Sequence, residues 1–319
     1  MSDVSPDSIP VVSLSHTVLS PDEQVQQIGD SLKQWGFVTL VDHGVDPTLL
    51  ERGYQVAREV FALSEPLKLA CEDQEGGRQR GYTPFLLEKA KGQSQPDLKE
   101  FWHIGRTLPP EHPASRSGLM RPNLYPQALP DFQVVMSELY LQMDRLAHSL
   151  LSVIARYLGL SSEAFSELAQ DGNSVLRVLH YPDVDSKDSV GKVRAAAHED
   201  INLLTLLPAA TRPGLELLTR EGRWLPVITP EGAMICDTGD MMSALTGGVM
   251  PATTHRVVNP EGGSDGGRLS MPFFMHPHPD AVLSPERIGL SAPRHPQIDG
   301  VGLTAHQFLQ RRLRDNGLT

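Results

Sequence analysis

Residues 174–237 read SVLRVLHYPDVDSKDSVGKVRAAAHEDINLLTLLPAATRPGLELLTREGRWLPVITPEGAMICD. Short runs rich in Val, Leu, Ile and Tyr are punctuated by Pro, Gly and Asp, which is the texture of strands joined by turns. Strands are expected at 175–181, 193–198, 203–207, 215–218, 222–226 and 233–237. The same texture continues with 253–257 and 269–275. About eight short strands at this spacing predict a sandwich or barrel of jelly-roll type. The expected fold class is therefore α+β with a mainly β core, a distorted double-stranded β-helix (jelly roll) with flanking helices.

Upstream of this stretch the pattern is mostly helical. Ser20-Pro21-Asp22-Glu23 is a capping-box signature, and Val25, Ile28, Leu32 and Trp35 follow at helical spacing until Gly36. FVTLV (37–41) is rich in strand formers, and Asp46-Pro47 starts a second helix that is expected to reach about Leu63. A long amphipathic helix runs from near Asp131 to Gly159, with Phe132, Leu139, Met143, Leu146, Leu150 and Ile154 on its apolar face. A last helix, 305–314, follows Thr304 as its N-cap. Residues 1–319 are expected to form one integrated domain: a mostly helical part (1–170) whose strands join the barrel, the jelly-roll core (171–290) and a C-terminal helix (300–319).

Composition narrows the function. The chain has 319 residues, 28 Lys and Arg, and 39 Asp and Glu, a net charge of −11. Such an acidic balance argues against nucleic acid, which needs clustered cations. Two distant cysteines, Cys71 and Cys236, form no disulfide framework, so the reducing cytoplasm is the expected location. MSDVSPDSIP at the start lacks the basic and apolar segments of a secretory leader. No run is apolar enough to span a bilayer, so no membrane partner is expected. A small molecule is the expected partner, and the oligomeric state stays open. The Gly-rich segment 261–267 lacks a phosphate-loop lysine and reads as a hairpin tip.

Of the twelve histidines, His112, His276, His278 and His295 precede prolines. His276-Pro277-His278 reads as a surface turn. His198-Glu199-Asp200 differs. On an extended segment His198 and Asp200 share a side, because side chains alternate along a strand, and Glu199 faces away. His255, in TTHRVV, supplies a third group from a later strand. Two His and one carboxylate form the open-sided ligand set of non-haem Fe(II) oxygenases. Three protein ligands leave room for a bidentate cosubstrate and O2. Arg268 and Ser270 share a face of the next strand, where a guanidinium and a hydroxyl can receive one carboxylate. Trp102 and His103 read equally well as pocket mouth or core. Asp237 and Asp240, flanking Gly239, read as a structural turn.

Taken together these segments resemble the Fe(II)- and 2-oxoglutarate-dependent oxygenases of the isopenicillin N synthase-like family. The similarity runs through WGFVTLVDHGV (35–45), FALSEPLK (61–68), PDLKEFW (96–102), HEDINLLTLL (198–207), THRV (254–257) and RLSMPFF (268–274). The resemblance implies Fe(II) held by His198, Asp200 and His255. It implies 2-oxoglutarate held through its distal carboxylate by Arg268 and Ser270, with a hydroxyl from Tyr181. The implied reaction consumes O2, releases succinate and CO2, and hydroxylates, desaturates or cyclises a small organic substrate. Leu179 departs from the family's pattern, which often has asparagine two residues before the tyrosine. Two alternatives stand beside this reading: an oxidase of the same fold that uses no 2-oxoglutarate, and a non-enzymatic binder.

Overall fold

The computed structural model describes residues 8–89, 95–183, 193–259, 266–291 and 298–318. The expected hairpin tip therefore falls largely outside the described residues, as does His295. Strand β1 (Val11–Ser13) leads to helix α1 (Pro21–Trp35), where Ser20 and Glu23 close the capping box. The helix stops at Gly36 (φ 69°), whose missing Cβ leaves space for Thr253 Oγ1, which would lie 2.2 Å from it. β2 (Phe37–Val41) follows, then α2 (Pro47–Phe61), capped by Asp46, and the short α3 (Glu65–Leu69). β3 (Gly81–Thr83), β4 (Glu100–Gly105) and α4 (Pro113–Arg116) precede the long α5 (Pro130–Tyr157) and the short α6 (Ser166–Ala169).

Beyond these come β5 (Val175–Tyr181), β6 (Ala195–His198), β7 (Leu204–Pro208), β8 (Leu215–Leu218), β9 (Trp224–Pro226) and β10 (Met234–Thr238). A short helix, α7 (Asp240–Leu245), separates β10 from β11 (His255–Val257), β12 (Arg268–Ser270) and β13 (Phe273–Met275). α8 (Ala305–Asp315) opens on a second capping box, Thr304 with Gln307.

The strands form two sheets. The larger has the order β1-β2-β10-β7-β13-β5-β4-β3, with β12 also on β5, and the smaller is β6-β11-β8-β9. Apolar side chains of both, including Phe37, Leu179, Leu215, Ile235 and Val257, make an inner core between the sheets. The outer face of the large sheet is covered by α5: Tyr140 meets Phe273 edge-on at 5.1 Å, and Leu139, Met143, Leu150 and Ile154 are fully buried or nearly so. This is the expected jelly-roll core with helices alongside.

Two expectations need correction. The segment expected as one strand at 269–275 is two, because Pro272 has no N–H to give the ladder. Its register against β5 is nevertheless continuous, with Ser270 opposite Leu179 and Phe273 opposite Leu176. The Cys236–Asp240 corner is more than a turn: Asp237 sits inside β10, as the expected strand at 233–237 has it, but Asp240 opens a helix, α7.

Candidate metal centre and cavity

A cavity of about 710 Å³ lies between the two sheets and takes side chains from β2, β5, β6, β7, β10, β11 and β12. His255 and His198 are direct cross-strand partners on β11 and β6, which brings their rings to 4.5 Å. Asp200 lies beyond the end of β6 rather than on it. Its Oδ1 is nevertheless 3.7 Å from His198 Nε2 and 3.8 Å from His255 Nε2. The three residues offer one ligand atom each within 4.8 Å of one another, a set able to hold a metal ion.

Hydrogen bonds fix what each group presents. His198 Nδ1 lies 2.7 Å from the Ala196 carbonyl, and His255 Nδ1 lies 3.1 Å from the Thr253 carbonyl. A carbonyl accepts only, so both protons sit on Nδ1 and both Nε2 lone pairs face Asp200. Burial, reinforced by His255, pushes the His198 imidazole down to about 4. It is neutral at pH 7, the form that ligates a metal. Asp200 Oδ2 accepts a hydrogen bond from the Thr205 hydroxyl, which in turn accepts one from Asn202 Nδ2 at 2.9 Å. One carboxylate oxygen is thus occupied and the other is left for a metal. Gly239 lets α7 approach: a Cβ there would lie 2.8 Å from the Asp200 carbonyl. Burial and the neighbouring Asp200 hold the Asp237 carboxyl well above the usual range. Glu199 accepts from the Thr254 hydroxyl and is tied away from the set.

The expected carboxylate-binding pair lines the same cavity. Arg268, 3% exposed, donates through Nε to the Arg212 carbonyl at 3.0 Å and packs 5.1 Å from the Tyr181 ring centre. Among the described residues its buried Nη1 has no hydrogen-bond partner. A buried guanidinium nitrogen without an acceptor is costly, which makes it the natural seat of an anion. Tyr181 is the cross-strand partner of Arg268, and Leu179 that of Ser270.

His276 departs from the surface turn expected of it. It is 9% exposed and lines the cavity, because β13 carries the chain inward before Pro277. His278 does lie outside that lining. Trp102 is core, with Nε1 bonded to the Leu124 carbonyl, whereas His103 lines the cavity. Sequence reading passed over Arg177 altogether. Its position two residues before Leu179 on the alternating face of β5 was the available signal.

Comparison with known proteins agrees with this geometry. Residues 9–128 match the family model described as non-haem dioxygenase in morphine synthesis N-terminal, and residues 172–277 match the 2OG-Fe(II) oxygenase superfamily. A 2-oxoglutarate-Fe(II) type oxidoreductase of Aspergillus fumigatus is 30% identical over 312 residues, which span 95% of this chain and 90% of that one. A crystal structure assigned to the 2OG-Fe(II) oxygenase family, from Caulobacter crescentus, superposes with a TM-score of 0.84 at 39% identity, covering 97% of this chain and 99% of that one. A full-length Neurospora crassa protein crystallised in complex with α-ketoglutarate and thymine shares the fold, with a TM-score of 0.82 at 24% identity over 97% of this chain and 98% of that one.

Proposed function

Because the chain belongs to the 2OG-Fe(II) oxygenase superfamily, we propose that His198, Asp200 and His255 hold its iron and that Arg268, Ser270 and Tyr181 receive the distal carboxylate of 2-oxoglutarate. The protein is a 2-oxoglutarate- and Fe(II)-dependent dioxygenase acting on a small molecule. When bound, Fe(II) supplies the redox chemistry that couples O2 to the conversion of 2-oxoglutarate into succinate and CO2.

The rest is the work of this chain's residues. His198 and His255 are held by backbone carbonyls in the tautomer that leaves Nε2 bare, and Thr205 restrains Asp200 to one free oxygen. Such outer contacts orient a ligand set before the metal arrives. Arg268 meets the C5 carboxylate with a charge-assisted hydrogen bond from a nitrogen that has no other partner among the described residues. Leu179, Leu207, Leu215 and Val257 line the cavity with apolar surface and keep water from the reacting groups. The observation that carries the assignment is the unpartnered Arg268 Nη1 in the same cavity as the His-Asp-His set. It favours a carboxylate-bearing cosubstrate over the non-enzymatic binder, and the family membership favours it over the oxidase.

Among the described residues no helix is long and apolar enough to cross a membrane. We further infer one integrated domain, placed in the cytoplasm by its cysteine usage and acting without nucleic acid or membrane. The test of the site is calorimetric titration of 2-oxoglutarate into anaerobic protein with and without Fe(II). Tight binding that requires Fe(II) and is lost in Asp200→Ala is expected. Fe(II)-independent binding of equal strength would reject the site.

A further inference from the structure

The cavity has a second polar wall that neither the metal nor the cosubstrate uses. β5 turns Val175, Arg177, Leu179 and Tyr181 toward it, alternate residues of one strand. Arg177 therefore stands about 13 Å along the strand from Tyr181, well away from the carboxylate seat. Its guanidinium is fixed on several sides. Nε donates to His103 Nε2 at 2.6 Å, Nη1 lies 3.3 Å from Glu88 Oε2, and the group packs 4.3 Å from the Phe101 ring centre and 5.2 Å from that of Phe274. His103 accepts from Arg177 because its own proton is on Nδ1, 2.8 Å from the Arg78 carbonyl. Burial, with Arg177 beside it, holds this imidazole well below its ordinary value and so keeps it neutral. These bonds use Nε and Nη1, and Arg177 lines the cavity, where Nη2 can meet a ligand.

His276 adds the complementary group. Its Nδ1 lies 3.2 Å from the Phe274 carbonyl, which leaves the Nε2 lone pair as an acceptor. Burial pushes this imidazole down to about 4, so it is neutral at pH 7. The charges behind the wall already cancel. Lys99 bridges Glu88 at 2.7 Å and Asp97 at 2.8 Å, and Arg177 adds a second cation against the same Glu88. A carboxylate brought to Arg177 would compete with Glu88 and bring no donor to the lone pair of His276, which lines the same cavity within electrostatic reach of Arg177.

We propose that this wall selects the primary substrate, and that it fits a neutral, planar molecule with a carbonyl oxygen for Arg177 and an N–H or O–H donor for His276, as in an amide, imide or lactam. The proposal deepens the dioxygenase reading of the same cavity and rests on it. Arg177 and His276 are specificity determinants, and His103 positions Arg177.

Matched probes test it. Benzamide, benzoate and N,N-dimethylbenzamide are titrated into anaerobic, Fe(II)- and 2-oxoglutarate-loaded protein by ligand-observed NMR. Benzamide is expected to bind about tenfold or more tighter than benzoate, and tighter than the dimethyl compound, which has lost its donor. Arg177→Met, which keeps an apolar stem against Phe101 and Phe274, should weaken benzamide roughly tenfold or more. His276→Phe should remove the preference for benzamide over the dimethyl compound. Binding of 2-oxoglutarate in the same samples separates the two layers: if it binds and benzamide does not, this inference fails while the dioxygenase reading stands. Tighter binding of benzoate, or benzamide binding indifferent to both substitutions, also overturns it. Should Arg177→Met fail to fold, the three-probe comparison on the unaltered protein decides alone.

Discussion

Replacing Arg268 by methionine separates a cosubstrate anchor from a structural cation, because the two roles move stability in opposite directions. Arg268 is 3% exposed, one of its terminal nitrogens has no partner among the described residues, and burial lowers its affinity for its own proton. A buried charge without a counter-ion destabilises the fold. Methionine keeps most of the stem and removes that charge, so the ligand-free variant should melt no lower than the parent. The loss should show when 2-oxoglutarate is added. Removing one charge-assisted hydrogen bond costs about 1.5–3 kcal/mol, roughly a 10- to 150-fold weaker Kd. At roughly 100 times its Kd the ligand stabilises the parent by about 2.7 kcal/mol. At that same concentration a variant about 50-fold weaker gains only about 0.7 kcal/mol. For a chain of this size, where 1 kcal/mol moves Tm by about 2 °C, the shift should fall from about 5 °C to about 1 °C. Differential scanning calorimetry under argon, with Fe(II) and with or without 2-oxoglutarate, reads both numbers. A variant that melts lower without ligand yet keeps the full shift would refute the reasoning.

Other outcomes follow from the same geometry. His198→Ala, Asp200→Ala and His255→Ala should each lower iron content and abolish 2-oxoglutarate-dependent succinate formation, measured by metal analysis and chromatography, because each removes one of the three proposed ligands. His278→Ala should change neither quantity, and His276→Ala should keep its iron while losing stimulation by substrate; iron loss in either variant would shift the site toward the C-terminal segment. Metal-free protein should lose stability on acidification: burial holds His103, His198 and His276 below their ordinary value of 6.5, so the unfolded chain takes up more protons below that pH. That stability is complete above about pH 6.5 and is lost as the pH falls below it, down to about pH 4 for His198 and His276, by up to about 1.4 kcal/mol per pH unit for each histidine. His276→Phe should make the decline in Tm shallower, and an unchanged slope would contradict its neutral burial.

Much of the fold was legible because local signals and tertiary fate agree here. The Ser20–Glu23 and Thr304–Gln307 caps, the Gly36 stop and the Val175–Tyr181 strand depend on nearby residues alone. The clustering of His198, Asp200 and His255 was legible for a different reason: a His-x-Asp pair and a distant strand histidine have few other uses together. What stayed hidden depends on partners far away in sequence. β4 reads as a polar segment, Glu-Phe-Trp-His, yet it is wholly buried because Lys68, Tyr82 and His180 all meet Glu100. His276 looked like a proline-bounded turn because nothing local shows that β13 points its end into the cavity. Arg177 was passed over because a single arginine in a strand has no local mark, and its clamp comes from His103 and Glu88.

The strand order of the large sheet also bears on how the chain is made. β2 is hydrogen-bonded to β10, and β13 lies between β7 and β5, so early and late segments alternate across one surface. As the polypeptide leaves the ribosome, β2 has only β1 beside it until β10 has been synthesised, and β5 has only β4 until β12 and β13 follow. Pairings this distant in sequence fold slowly and leave open edges in the meantime. A nascent chain stopped after β9 would carry His198 and Asp200 but lack His255 and the strand that brackets it. Iron should therefore enter only after synthesis has passed β11. Expression of residues 172–277 alone, which leaves β10 and β5 without β2 and β4, should give aggregates rather than a small iron protein.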